Sequence, residues 1–241
     1  MNNFTTLLSG ELQRMKKYNI LVAGIFVALL WIGVLYFTDI DDITNMVPSL
    51  IFIDATSMSM LLVGATMFYE KQEGTMKTLL VSPINKTEYI LAKVFANISS
   101  NVITLILIYV YAKVFKEVRL NFFGLVGGVI LTAFFHSLIG FILTYNTKDF
   151  TEMLMGMLKY TFIFAIPVLL EQIGLINNEI ISKILFIIPT KSSSILLQST
   201  SGGMETWKIW LSLMYLIIAS IVLFYIVWKK FDDFAIKESG D

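Results

Sequence analysis

Six long apolar runs separated by shorter polar segments set the pattern of this 241-residue chain. They fall at about 20–38, 47–69, 89–112, 121–145, 151–171 and 207–228, and each matches the roughly 20 helical residues needed to cross a bilayer core. A spanning segment must satisfy its own backbone in lipid, and continuous apolar runs of this length do so as helices. The pattern therefore predicts an all-α polytopic membrane protein with six transmembrane helices in a single domain, 1–241. Residues 1–19 follow a different rule. Phe4, Leu7, Leu8, Leu12 and Met15 recur mostly three or four apart, with Glu11, Arg14, Lys16 and Lys17 on the rest of the circumference. That periodicity predicts an amphipathic helix lying at the membrane interface.

Two polar interruptions carry further pattern. Between runs five and six, residues 172–206 hold an apolar stretch, Ile180 to Ile188, broken only by Ser182 and Lys183 and ending at Pro189. Ser194 to Leu197 follows as a second short apolar piece. Segments this short do not cross, so they are expected to form re-entrant outer helices, a lid packed against other spans and shielded from lipid. Ser199 to Gly203 is a flexible turn into the sixth run, where Trp207, Trp210 and Trp228 sit at belt positions. The longer interruption is Glu70 to Lys93. Thr75, Met76, Leu79 and Leu80 share one helical face, while Lys71, Lys77 and Thr78 turn elsewhere. Pro83 ends that helix, and Asn85 followed by Glu88 has the form of a capping box opening the next one.

Composition agrees with the pattern: 56% of residues are hydrophobic, 15% are charged, and mean hydropathy is +0.76. Zero formal net charge leaves no basic face for a nucleic acid. The absence of cysteine removes thiol catalysis and thiolate metal sites. No cleavable leader is expected, because the first apolar run is of spanning length and lacks a small-residue cleavage site. Lysine and arginine number eleven on the side of the termini and six on the other. The positive-inside rule then places both termini and the 70–93 stretch in the cytoplasm, with 229–241 as a cytoplasmic tail.

Ionisable and amide side chains inside the runs are the candidate chemistry. Asp54, Asn97, Asn101, His136 and Lys159 are candidates for a translocation path, and Lys93 and Glu171 lie nearer the ends. By helical rise, Asp54 lies roughly 10 Å and Lys159 roughly 13 Å inside opposite faces, so a Lys159 side chain reaches Asp54. The same small and polar residues of the second and third runs also serve ordinary helix packing, with a second copy of the chain as one packing partner. The single histidine has no companions for a metal cluster, and the chain holds no phosphate loop and no H-E-x-x-H or G-x-S-x-G motif. Neither catalysis nor a resident cofactor or metal is therefore expected of it.

Glu70-Lys71-Gln72-Glu73-Gly74-Thr75, then Leu79-Leu80-Val81-Ser82-Pro83, then Glu88-Tyr89 and Lys93, resembles the signature E-x-x-x-G-T-x-x-x-L-x-x-S-P of ABC-2 type transporter permeases, the membrane subunits of ABC exporters. The likeness in plan extends over nearly the whole chain. It implies that 70–88 is a cytoplasmic coupling helix region docking on a separate ATP-binding subunit, which would hold the ATP and Mg. The residues it carries over are Glu70, Glu73, Gly74, Thr75, Leu79, Leu80, Ser82 and Pro83, and Met76 joins the apolar face that would fill the partner's groove. It also implies a second permease subunit, a bacterial plasma-membrane location, and export of a hydrophobic or amphipathic compound such as a drug, peptide or lipid-like molecule. Two other readings stay open. One is an ion-coupled transporter or channel using Asp54, Lys159 and His136, and the other is a non-transporting immunity or scaffold protein.

Overall fold

The computed structural model describes residues 3–39, 43–75 and 84–239. Among these the secondary structure is helical, with no strand. Helix α1 spans Asn3–Lys17, α2 Ile20–Phe37, α3 Met46–Gln72, α4 Lys86–Phe115 and α5 Phe122–Tyr145. The fifth run divides into α6 (Phe150–Tyr160), a π-turn at Thr161–Ala165 and α7 (Ile166–Gln172). Two short helices, α8 (Glu179–Leu185) and α9 (Pro189–Gln198), precede the long α10 (Thr206–Ser239). Six segments are long and apolar enough to span a bilayer, as the hydrophobic pattern predicts.

The π-turn has a visible cause. Pro167 lacks the amide donor that would continue the ladder, so the turn before it widens. Asn85, Asn121, Asp149 and Asn178 each cap a following helix with a side-chain oxygen, stopping the previous segment and starting the next. The Asn85 cap falls where the pattern placed it, and its acceptor takes the Thr87 amide at 2.9 Å. Where α2 ends, the Lys116 ammonium reaches back to the Thr38 carbonyl at 3.1 Å.

Helices α3, α4 and α5 form the centre, and α2, α6–α7 and α10 surround it with largely exposed apolar faces. Close approach of α3 and α5 depends on Gly140: a Cβ there would stand 2.9 Å from the Met60 carbonyl oxygen and 3.0 Å from its Cα. Small residues let spanning helices approach in this way when no hydrophobic force acts between them in lipid.

Three expectations gain detail. Residues 229–239 of the expected cytoplasmic tail are helical, since α10 continues through Ser239. Phe231, Phe234 and Ala235 recur at helical spacing and pack with Tyr89 and Tyr145, which holds the extension in place. Pro189, read as an end, also starts α9, at the first-turn position proline favours. The 172–206 segment is half buried: α9 packs inward through Ser192–Leu197, whereas Ile180, Ile181 and Ile184 of α8 are exposed. α8 and α9 meet at 98°.

Candidate functional site

The sequence directs attention to the end of α3 and the start of α4. Met76, Leu79, Leu80, Ser82 and Pro83 lie outside the described residues. What is described is the base from which that segment springs. Gly74 has φ +67°, a left-handed conformation favoured by glycine, and its amide bonds the Lys71 carbonyl at 3.1 Å. The Thr75 hydroxyl donates to the Glu70 carbonyl at 3.1 Å. Helix α3 thus ends just before Gly74.

Immediately beneath this turn sits a cluster of four charges. The Glu70 carboxylate meets Lys93 Nζ at 2.9 Å, pairs with Arg14, and accepts a hydrogen bond from Tyr89 Oη at 2.5 Å. Glu11 receives Lys93 Nζ at 2.9 Å and Arg14 Nη1 at 2.7 Å. Side-chain exposure is 1% for Lys93, 2% for Glu70 and 7% for Glu11, so these three meet almost out of reach of water, while Arg14, at 22%, closes the cluster towards solvent. Burial acts to raise the Glu11 carboxyl, but the adjacent Lys93 and Arg14 cations outweigh it and hold the group below its usual range.

Local sequence explains how α1 enters the cluster. Glu11 and Arg14 are three apart and share a face, and Leu8, Leu12 and Met15 pack against Leu62, Ala96 and Tyr69. Glu11, assigned from periodicity to the polar circumference, is therefore buried. One turn further, Lys17 bonds the exposed Glu73 at 2.8 Å and Tyr18 also donates to it. The Lys17 hydrogen bond lowers the Glu73 carboxyl. The Tyr18 ring stacks on Tyr69 with centroids 4.0 Å apart.

These contacts place Glu70 and Glu73 at the root of the 76–83 segment. Glu70 faces into the chain, where Arg14, Tyr89 and Lys93 occupy it. Glu73 is exposed but engaged by α1. Sequence reasoning missed Glu11, Arg14 and Tyr89 as members of one site. The available signal was Lys93, an ionisable residue inside a spanning helix that requires a counter-charge.

The path candidates form a polar seam within the bundle. Asp54 accepts from Trp31 Nε1 at 3.2 Å and Thr104 Oγ1 at 2.8 Å. Asn97 donates to the Ser59 carbonyl at 2.8 Å and to Ser137 Oγ at 2.7 Å, and Asn101 donates to Ser59 Oγ at 3.2 Å. His136 Nδ1 lies 2.8 Å from the Thr132 carbonyl and Nε2 lies 3.3 Å from Tyr160 Oη. Asp54, Asn97, Asn101 and His136 are all buried. Lys159 is not brought to Asp54; it stands exposed on α6. Helical rise fixed its depth but not its azimuth, and the two residues point to different sides.

Six apolar spanning helices closed around a hydrogen-bonded polar seam define a multi-pass membrane protein of the permease class. The chain belongs to the fluoroquinolones export permease protein family, matching it over residues 2–239. That membership is consistent with the ABC-2 type resemblance of the 70–83 stretch. It is similar to the fluoroquinolones export permease proteins of two Mycobacterium tuberculosis strains, CDC 1551 / Oshkosh and ATCC 25618 / H37Rv. The identity to each is 24% over 242 residues, covering 100% of this chain and 99% of each relative.

Proposed function

We propose that this chain is the membrane subunit of an ATP-driven exporter, coupled through 70–88 to a separate subunit that binds ATP and Mg. The side bearing the termini faces the cytoplasm of a bacterial plasma membrane, and a second permease, a copy or a paralogue, completes the path. The substrate is a hydrophobic or amphipathic compound. The export permeases to which the chain is similar carry fluoroquinolones in their names, which favours amphipathic aromatic molecules of that kind.

The observation that carries the reading is the charge cluster at the root of the 76–83 segment. Glu11, Arg14, Glu70 and Lys93 fasten α1, the end of α3 and the start of α4 into one unit. A push delivered at 76–83 by a docked ATPase then moves three helices together instead of bending one loop. An apolar helix face seated in a partner groove, such as Met76, Leu79 and Leu80 would provide, is a common means of such docking.

The test is reconstitution of the chain in vesicles with and without an ATP-binding subunit that co-purifies with it, following a fluoroquinolone by its fluorescence. Flux is expected only with both chains and ATP, and Leu79→Asp should abolish association without lowering the unfolding temperature of the permease. Flux by the permease alone under an ion gradient, or no flux under either driving force, would overturn the proposal.

A further inference from the structure

At the membrane end opposite the termini, the end of α7, the short helices α8 and α9 and the start of α10 leave a pocket of about 700 Å³ between them. Ligand pockets run from about 300 to 1,000 Å³, so its size suits a small molecule. No residue of the charge cluster or of the polar seam lines it.

Its wall joins an aromatic surface to charges of both signs. Phe186 of α8 and Trp207 of α10 lie nearly parallel, at 18° with ring centroids 6.2 Å apart, and Trp207 is 56% exposed. A further flat ring finds an indole to stack on there. The Lys208 ammonium stands beside the same indole, 5.5 Å from its ring centre. Across the pocket, Glu171 at the end of α7 meets Lys191 of α9 at 2.6 Å.

Each of these charged groups is positioned by a partner yet keeps bonding capacity. Lys208 spends one donor on Glu205 at 3.2 Å, and an ammonium has three. Lys191 engages Glu171 through Oε2, and a carboxylate accepts on both oxygens. A ligand can therefore bond both without breaking either pair. The Lys191–Glu171 pair is 14% exposed on each side, so a charge brought to it competes with little water. At the rim, Lys183 and Glu179 pair at 2.7 Å with side chains 75% and 82% exposed, which balances the charge and leaves the opening wet. A pocket carrying both signs around an aromatic pair suits a ligand that carries both signs around a ring.

We infer that this pocket binds a flat aromatic zwitterion, with its ring against Trp207, its anionic group on Lys208 and its cationic group on Glu171. The inference rests on the exporter reading for its meaning, since the pocket lies on the side to which cargo would pass. Binding requires neither nucleotide nor a second subunit. The ligand can thus bind while ATP-driven flux fails, which would sink only the exporter reading, and flux without this binding would sink only the site.

The test uses the full chain in dodecyl maltoside at pH 7, titrated with norfloxacin, a flat bicyclic ring bearing a carboxylate and an ammonium, and read by the anisotropy of its fluorescence. Wild type should bind saturably above empty micelles. Lys208→Met and Glu171→Gln should each weaken binding about threefold to tenfold, in line with one charged hydrogen bond partly open to water. Trp207→Leu should weaken it by a similar factor through lost stacking. Lys208→Arg keeps the cation and should stay within about threefold of wild type, which separates the charge from any loss of fold. Two competitors separate the signs. Nalidixic acid, with a carboxylate and no ammonium, should displace norfloxacin less well from Lys208→Met than from wild type and be indifferent to Glu171→Gln. Norfloxacin methyl ester, with the ammonium alone, should show the reverse.

Absence of saturable binding to wild type would overturn the inference, as would binding that none of the three substitutions weakens, since the ligand would then lie elsewhere. Equal affinity for norfloxacin and both competitors would overturn the assignment of a zwitterion. Displacement by added phosphatidylethanolamine, a zwitterion without a ring, together with indifference to Trp207→Leu would identify a lipid headgroup as the occupant and overturn the aromatic assignment.

Discussion

Replacing Lys93 by methionine probes the charge cluster most directly, because Lys93 is its most deeply buried member and touches both acids. Methionine retains most of the stem's volume and removes only the ammonium. Glu11 and Glu70 would then share a single cation, Arg14, leaving one buried negative charge uncompensated. Removing one partner of a buried ion pair costs about 3–5 kcal/mol, against about 0–1 kcal/mol for an exposed pair. In a chain of this length each kcal/mol lowers the unfolding temperature by about 2–4 °C. A fall of about 6–20 °C is therefore expected when unfolding is followed by fluorescence in detergent. The double variant Lys93→Met/Glu70→Gln removes one charge of each sign and leaves Arg14 with Glu11. Its unfolding temperature should recover by more than half, and the coupling energy between the two positions should exceed about 1 kcal/mol. A fall of less than 3 °C for Lys93→Met alone, or additive losses in the double variant, would refute the cluster as a fastening of α1 to α3 and α4.

Acid should loosen the same fastening. The Glu11 carboxyl is held below its ordinary value of 4.5, so its contribution is fully present above that value and is lost as pH falls through the lowered one. Unfolding temperatures measured from pH 7 to about pH 3.5 should drop at the acid end in wild type and less steeply in Glu11→Gln. Gly140→Ala places a Cβ 2.9 Å from the Met60 carbonyl and should cost about 1–3 kcal/mol by forcing α3 and α5 apart; an unchanged unfolding temperature would show that the helices yield freely. Asp54→Asn keeps an acceptor for Trp31 or Thr104, and the Thr104 hydroxyl can turn to accept from the new amide. Stability should change by less than about 1.5 kcal/mol and flux should be retained; loss of flux from an intact protein would instead favour ion coupling at Asp54.

Much of the architecture was legible because the features that encode it are local. Ile20–Phe37 is a continuous apolar helix of spanning length, and no distant residue is needed to say that it belongs in lipid. The cap at Asn85 and the turn at Gly74 are equally local. Less was legible where local signals left a choice. Lys229, Lys230 and Lys237 marked 229–241 as a tail, but only the meeting of Phe231 and Phe234 with Tyr89 and Tyr145 across the bundle shows how its helix is held. The α8 segment is the more apolar of the two short helices, yet it is α9 that lies where α3 and α5 cover it.

The candidate site divides in the same way. The 70–83 motif is contiguous and stood out in the sequence, whereas the cluster supporting it joins Glu11 to Lys93 across 82 positions and Arg14 to Glu70 across 56. Sequence alone determined the number and approximate positions of the spans and the position of the polar turn. Transfer of apolar surface into lipid and backbone capping add up residue by residue and depend little on neighbours far along the chain. Only the tertiary structure decided that Glu70 points inward and that Asp54 meets Trp31 and Thr104 while Lys159 stays apart. The azimuth of each helix is fixed by which faces fit together, and a charge in the membrane adopts whichever partner that fit brings within about 3 Å.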